Sequence, residues 1–318
     1  MIATEEYARF LADEYLGSYV ADGGAAVKFV VAAADDDASS FSAALHDRAG
    51  AAGYHTARID AAETRVHMID QVFFDLARTV DWNALATEAA RAALAAASHP
   101  VPEGSDDISV AAVAAHYGVE AGELTRDVNR ALQQGIHRDF AMVQEFRTAM
   151  LRLCQAVLAT GQVTEAEHAA VLDWLRGDLR QITLLRSAMI FRRIGRHNAR
   201  QMLFSLAHWL SINGMAGLVL ELDVRRLGFA RRPRPEERRG LYYTKAALLD
   251  AYEMLRQFVD NTDELSHCCV MVLAAPEFLV DQNRGLDAYQ ALKLRIFDEV
   301  RDRRRDNPYS SLVRLGAV

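Results

Sequence analysis

The chain has 318 residues, 51% of them hydrophobic and 25% charged, with a net charge of −7. That length and balance give a folded protein of one elaborated domain or two and exclude wholesale disorder. The acidic excess excludes non-specific nucleic-acid binding by the surface as a whole.

Cys154, Cys268 and Cys269 form no CxxC pair, and the chain has neither an HExxH nor a GxSxG motif. Neither a disulfide framework, a zinc site nor a serine hydrolase is expected. The first residues, MIATEEYARFLADEYLG, are acidic and amphipathic rather than basic and then apolar. With no apolar run long enough to cross a bilayer, a cytoplasmic protein without a membrane contact is expected.

A strand is expected over 27–33, followed by an Asp-rich cap and a helix over 38–52. Between strand and helix a nucleotide-binding protein would carry a phosphate loop, with glycines that let backbone N–H groups close on phosphates, a Lys, and a Ser or Thr for magnesium. The junction here, AAADDDASS, has no glycine and no lysine. Asp35, Asp36 and Asp37 instead set negative charge at the helix mouth and repel an anion. The same residues also suit an ordinary βα unit, because Asp and Ser cap helices without any ligand.

Further strands are expected over 54–60, 217–223, 268–275 and 311–315. Short apolar runs separated by helices predict a parallel sheet buried on both faces. The stretch from 62 to 216 reads as a mainly helical insertion, with helices over 84–97, 138–159 and 165–185, punctuation at Gly161 and Gly177, and a surface loop over 98–109. Residues 1–61 and 217–318 are then the two parts of an α/β core.

Within the insertion, 110–132 has the outline of a helix-turn-helix, but Glu123 and Asp127 offset Arg126 and Arg130. An αα-hairpin is favoured over a DNA reader. The segment RRLGFARRPRPEERR, 225–239, reads as a solvated loop, with a basic binding arm as the other option.

The segments GLVLELDVRRL, RRGLYYTKAALLDAYEMLRQFVDNTDEL and VMVLAAPEFLVDQNRGLDAYQALKLRIFDEVRDRRRDNPYSSLVRL, with GGAAVKFV and GYHTARIDAAE near the start, together resemble the ATP-binding proteins of bacteriophage-exclusion (BREX) systems and their wider P-loop family. The resemblance implies an AAA+-like parallel-sheet core with a nucleotide pocket at the C-terminal strand edge. In the family's loop pattern the glycine positions fall on Ala32, Asp35 and Asp37, the Lys position on Ala38 and the hydroxyl position on Ser39. Asp223 matches the magnesium-holding carboxylate, while the water-positioning Glu is Val224. Two parts of the machine are thus missing. The expectation is a pseudo-ATPase with no catalytic residue, no bound metal and no cofactor, and with Ser39 and Asp223 as vestiges.

Arg284 and Arg295 match basic positions that in such assemblies reach a neighbour's nucleotide; surface pairing with Asp281, Asp287 or Asp298 is the other option. A protein partner or a homo-oligomer is expected. Two rivals stand: a metal-dependent nucleotide hydrolase binding ATP and magnesium through Asp35, Asp36, Asp37, Asp223 and Ser39, and a DNA-binding module using the 110–132 hairpin or the 225–239 arginines.

Overall fold

A computed structural model describes residues 1–229, 240–297 and 306–316. The chain forms two compact units, Met1–Leu76 with Met215–Val318, and Ala77–Gly214.

The first unit is built on five parallel strands, β1 Ala25–Ala32, β2 Tyr54–Asp60, β3 Gly217–Asp223, β4 Cys268–Ala274 and β5 Leu312–Leu315, in the order β2-β3-β4-β1-β5. Each lies within two residues of its expected span. Every residue of β3 and β4 is buried, which is why GLVLELD and CCVMVLA lack the alternation of a half-exposed strand. This is the parallel α/β core that the strand pattern predicts, consistent with the P-loop type that the resemblance implies.

Helices α1 Thr4–Leu11, α2 Asp35–Ala51 and α3 Ile69–Thr79 precede the second unit, α3 running across its boundary. The second unit contains α4 Trp82–Ala96, α5 Val110–Tyr117, α6 Ala121–Leu132, α7 Gln144–Val157, α8 Glu165–Arg176 and α9 Ala199–Ile212. Helices α10 Lys245–Asp260, α11 Glu277–Val280 and α12 Gln290–Ile296 complete the first. Among the described residues no helix is long and apolar enough to cross a membrane.

Three helix boundaries differ from expectation. Helix α7 starts at Gln144 rather than at 138, because Val143 before it is extended. Helix α2 starts at Asp35, and its cap position is Ala34, which has no side-chain acceptor. Asp35, Asp36 and Asp37 therefore do not cap; they form the first turn, where their charge complements the helix dipole. Helix α8 stops at Arg176 because Gly177 takes the left-handed conformation with φ 80°, and only a short 3₁₀ turn, Ile182–Leu185, follows. The 110–132 segment is α5, a left-handed Gly118, and α6.

One face of the sheet packs Val30, Met271 and Val313 against Tyr7 of α1 and Phe41 and Leu45 of α2, each at most 1% exposed. Burial of one such aromatic or aliphatic side chain contributes about 2 kcal/mol, so α2 is fixed against the strand ends by its apolar stripe. On the opposite face Phe29 stacks on Phe278 with ring centroids 6.1 Å apart.

Candidate functional site

A cleft of about 660 Å³ opens at the C-terminal edge of the sheet, where open α/β folds bind ligands. Ala32, Asp35, Ser39, Asp60, Asp223 and Arg225 line it, with Ala275, Pro276 and Glu277 following β4.

The connection from β1 to α2 is Ala33 and Ala34 alone. A phosphate loop needs a longer excursion whose N–H groups surround the anion, and here those positions are wound into the helix. Of the residues matched to the loop, Ala32 ends β1, and Asp35 and Ser39 face the cleft. Asp37 does not line it. Ala38, at the Lys position, is fully buried in the core beneath α2. A lysine there would enter apolar packing rather than reach a phosphate.

Where a metal-holding carboxylate should be open, Asp223 is occupied by arginines. Arg225 donates to it from Nε at 3.0 Å and from Nη2 at 2.7 Å, and its Nη1 reaches Asp35 at 2.6 Å. Arg58 donates a further bond to Asp223 at 2.8 Å. Burial by itself pushes the Asp223 carboxyl up; bonding and charge from Arg225, then bonding from Arg58, overcome this and hold it below the usual carboxylate range. The Arg225 guanidinium is held above its ordinary value, chiefly by bonding to Asp223.

The charged row continues beneath α2. Arg58 and Glu221 are register partners on β2 and β3, and the guanidinium lies 3.3 Å from the fully buried carboxylate. Ser42 donates to Glu221 at 2.8 Å, and His46 lies 3.2 Å from the same oxygen. Glu221 and Asp223 share one face because strand side chains alternate. From α2 to the cleft mouth, the order is His46, Glu221, Arg58, Asp223, Arg225, Asp35.

The carboxylates proposed to gather a metal do not converge. Among the described residues no group of three or more His, Cys, Asp or Glu could hold one. Asp35 is 94% exposed at its side chain and turned to Arg225. The residues present therefore do not fit magnesium and ATP in the family manner. Val224 is buried, its N–H bonded to Leu273 O at 2.8 Å, and offers no carboxylate to a water.

Arg58 and Glu221 are not among the residues to which the sequence points, and Arg225 figures there only within the basic segment 225–239. The available signal was the acidic alternation in GLVLELD facing the arginine of YHTARID, with DVR at the strand end. The 225–239 segment is neither a solvated loop nor a binding arm at its start: Arg225 turns into the cleft, and Arg226 donates to Leu241 O at 2.7 Å. Residues 230–239 lie outside the described residues.

Arg284 also differs from a surface residue. It is 7% exposed and donates to Leu227 O at 3.0 Å and Tyr243 O at 2.9 Å. Arg295 is exposed and pairs with Asp260 rather than with Asp281 or Asp287; Asp298 lies outside the described residues. In the second unit, the charge offset on α6 includes an Arg130–Asp127 pair at 2.9 Å.

Comparisons with curated proteins and with solved structures give no match to the chain. The family model for the BREX system ATP-binding protein BrxC/D matches residues 13–318, across the sheet, the cleft and the helical unit, and the chain belongs to that family.

Proposed function

We propose that this chain is a pseudo-ATPase: a non-catalytic member of the BREX ATP-binding family with a structural or regulatory role in a protein complex of phage defence. The observation that carries the reading is the Arg225 guanidinium seated between Asp223 and Asp35. An internal cation neutralises the carboxylate that would otherwise face a metal. The two-residue β1–α2 connection and the buried Ala38 support the same reading, as does the apolar Val224.

A metal at Asp223 would have to displace three charge-assisted hydrogen bonds, two from Arg225 and one from Arg58, from a buried carboxylate. Charge-assisted hydrogen bonds contribute about 1.5–3 kcal/mol each, so the displacement opposes metal binding strongly. What the cleft retains is a neutralised, self-filled strand edge. A family member without turnover acts through its surfaces, as a homo-oligomer or beside another protein of the system.

The test is calorimetric titration of the purified protein with ATP and magnesium. No heat of binding is expected. A micromolar dissociation constant abolished by Asp223→Ala overturns the pseudo-ATPase reading.

A further inference from the structure

The helical unit contains a second concave site, far from the cleft in chemistry. From Leu179 to Leu220 the chain has no Asp or Glu, yet it carries Arg180, Arg186, Arg192, Arg193, Arg196 and Arg200. Arg186, Arg192 and Arg196 are exposed and form no ion pair among the described residues. In a protein of net charge −7, this is a concentrated reversal of sign.

Of these, Arg192 lines a groove of about 570 Å³ between α7 and residues 188–192, together with Phe191, Gln133, Gln144, Arg152 and, as its acidic member, Glu145; Arg152 is itself paired with Glu167 at 3.4 Å. Phe191 is 60% exposed and Met189 65%, while Ala188 and Ile190 between and before them are fully buried. The exposed ring and thioether are therefore not a frayed end. Trp174 Nε1 donates to Arg192 O at 2.9 Å, and Arg152 Nη2 to Ser187 O at 2.8 Å. Met189 is held at φ 60°, a conformation methionine rarely adopts, with the next N–H bonded to Leu185 O at 3.1 Å. Such strain persists where the surroundings fix it, and it gathers at binding sites.

We propose that this groove binds single-stranded nucleic acid. Arg192 in the groove, with the exposed Arg186 and Arg196 of the same segment, supplies the backbone-tracking positive charge, Phe191 supplies a face on which a base stacks, and Gln133 and Gln144 offer amide donors and acceptors to base edges. A duplex keeps its base faces covered and would leave Phe191 unused. An acidic protein segment would satisfy the arginines but has no use for the aromatic face and the amide pair. The site uses neither Asp223 nor Arg225, so its test does not depend on the pseudo-ATPase reading.

The experiment is fluorescence anisotropy of the full chain with labelled oligothymidylate, oligouridylate of equal length, a matching duplex and polyglutamate, over a salt series. Binding of either single strand supports the site, and the ratio of the two says whether the sugar is read. Phe191→Ala is expected to weaken single-strand binding by about tenfold. Arg186→Glu with Arg192→Glu is expected to reduce the slope of log affinity on log salt by about 1.4, at ~0.7 per lost phosphate contact. All three side chains are exposed, so the variants fold. The proposal is overturned if neither single strand binds at low salt. It is equally overturned if duplex or polyglutamate binds as tightly as the single strands and Phe191→Ala changes nothing, since the patch is then a general polyanion or acidic-protein surface.

Discussion

The two arginine-bearing hollows of this protein treat the same side chain in opposite ways. In the cleft of the α/β unit Arg225 and Arg58 face Asp223, Asp35 and Glu221 at 2.6–3.3 Å. In the helical unit Arg192, which lines the groove, and the exposed Arg186 form no ion pair among the described residues. A guanidinium that already has its counter-charge has little left to offer an anion; one without it recruits an anion from solution. The cleft that resembles a nucleotide site is thus the one less suited to a phosphate.

Installing an unpaired cation in the α/β unit breaks that contrast most severely. Ala38→Lys restores the loop lysine by sequence, but the position is fully buried against α1 and the sheet. Overpacking combined with an uncompensated buried charge is expected to cost about 4 kcal/mol, and no ATP affinity should accompany it. Urea denaturation measures the loss. A variant as stable as wild type that binds ATP would mean that the introduced lysine reaches the cleft after all.

Removing the cleft's own cation is the next largest change. Arg225→Ala leaves Asp223 buried with Arg58 as its remaining arginine partner, and is expected to cost about 3 kcal/mol near neutral pH. The sign with pH follows from the depressed Asp223 carboxyl. Its stabilising contribution is complete above the unfolded value of about 3.9 and is lost as pH falls through the lower folded value. The wild type should therefore lose more stability than Arg225→Ala between neutral and strongly acid solution. Parallel acid-denaturation curves would dissociate Arg225 from that carboxylate.

The architecture was legible in the sequence and the cleft's electrostatics were not, for a physical reason. Strands such as CCVMVLA are apolar on both faces wherever the sheet closes over them, so local pattern and tertiary burial agree. Asp223 could be placed from the family resemblance because a single strand end carries it. Arg225 could not, since DVRRL opens an arginine-rich stretch that looks solvated. Its inward turn is decided by Asp223 and Asp35 together, and Asp35 lies 190 residues away in sequence. The start of α2 differs from expectation because Asp suits both a cap and a first turn.

Lys28 sharpens the comparison from the opposite side, as a buried cation of the α/β unit whose acceptors are neutral. Its Nζ donates to Tyr309 O at 2.7 Å and Ser310 O at 3.2 Å and lies 4.4 Å from the Tyr15 ring centre. Burial lowers its pKa to about 8. Between there and the unfolded value of about 10.4 the unfolded chain binds the proton that the folded chain has released, so stability rises with pH. The retained acceptors keep the expected gain to about 2 kcal/mol. Several buried tyrosines, Tyr7, Tyr54 and Tyr252, have raised pKa values and oppose the trend above about pH 10. The difference between wild type and Lys28→Met isolates the lysine, and identical pH profiles would remove it from the account.

The smallest effect belongs to the residue that best separates folding from assembly. Arg284 was matched with Arg295 as an inter-subunit arginine, but Arg284→Glu would set a buried carboxylate against two carbonyl oxygens and report on folding alone. Arg295 is 37% exposed and pairs with Asp260, itself also held by Arg256. Exposed pairs contribute about 0.2–1 kcal/mol, so Arg295→Glu should lower stability by no more than about 1 kcal/mol while reversing a charge at the surface of α12. If the α/β unit assembles through this edge, light scattering of the wild type, alone and after co-expression with neighbouring gene products, gives a mass above the monomer that Arg295→Glu reduces at unchanged fold. A mass that stays the same in the variant excludes Arg295 from the interface, and any partner must then be held elsewhere.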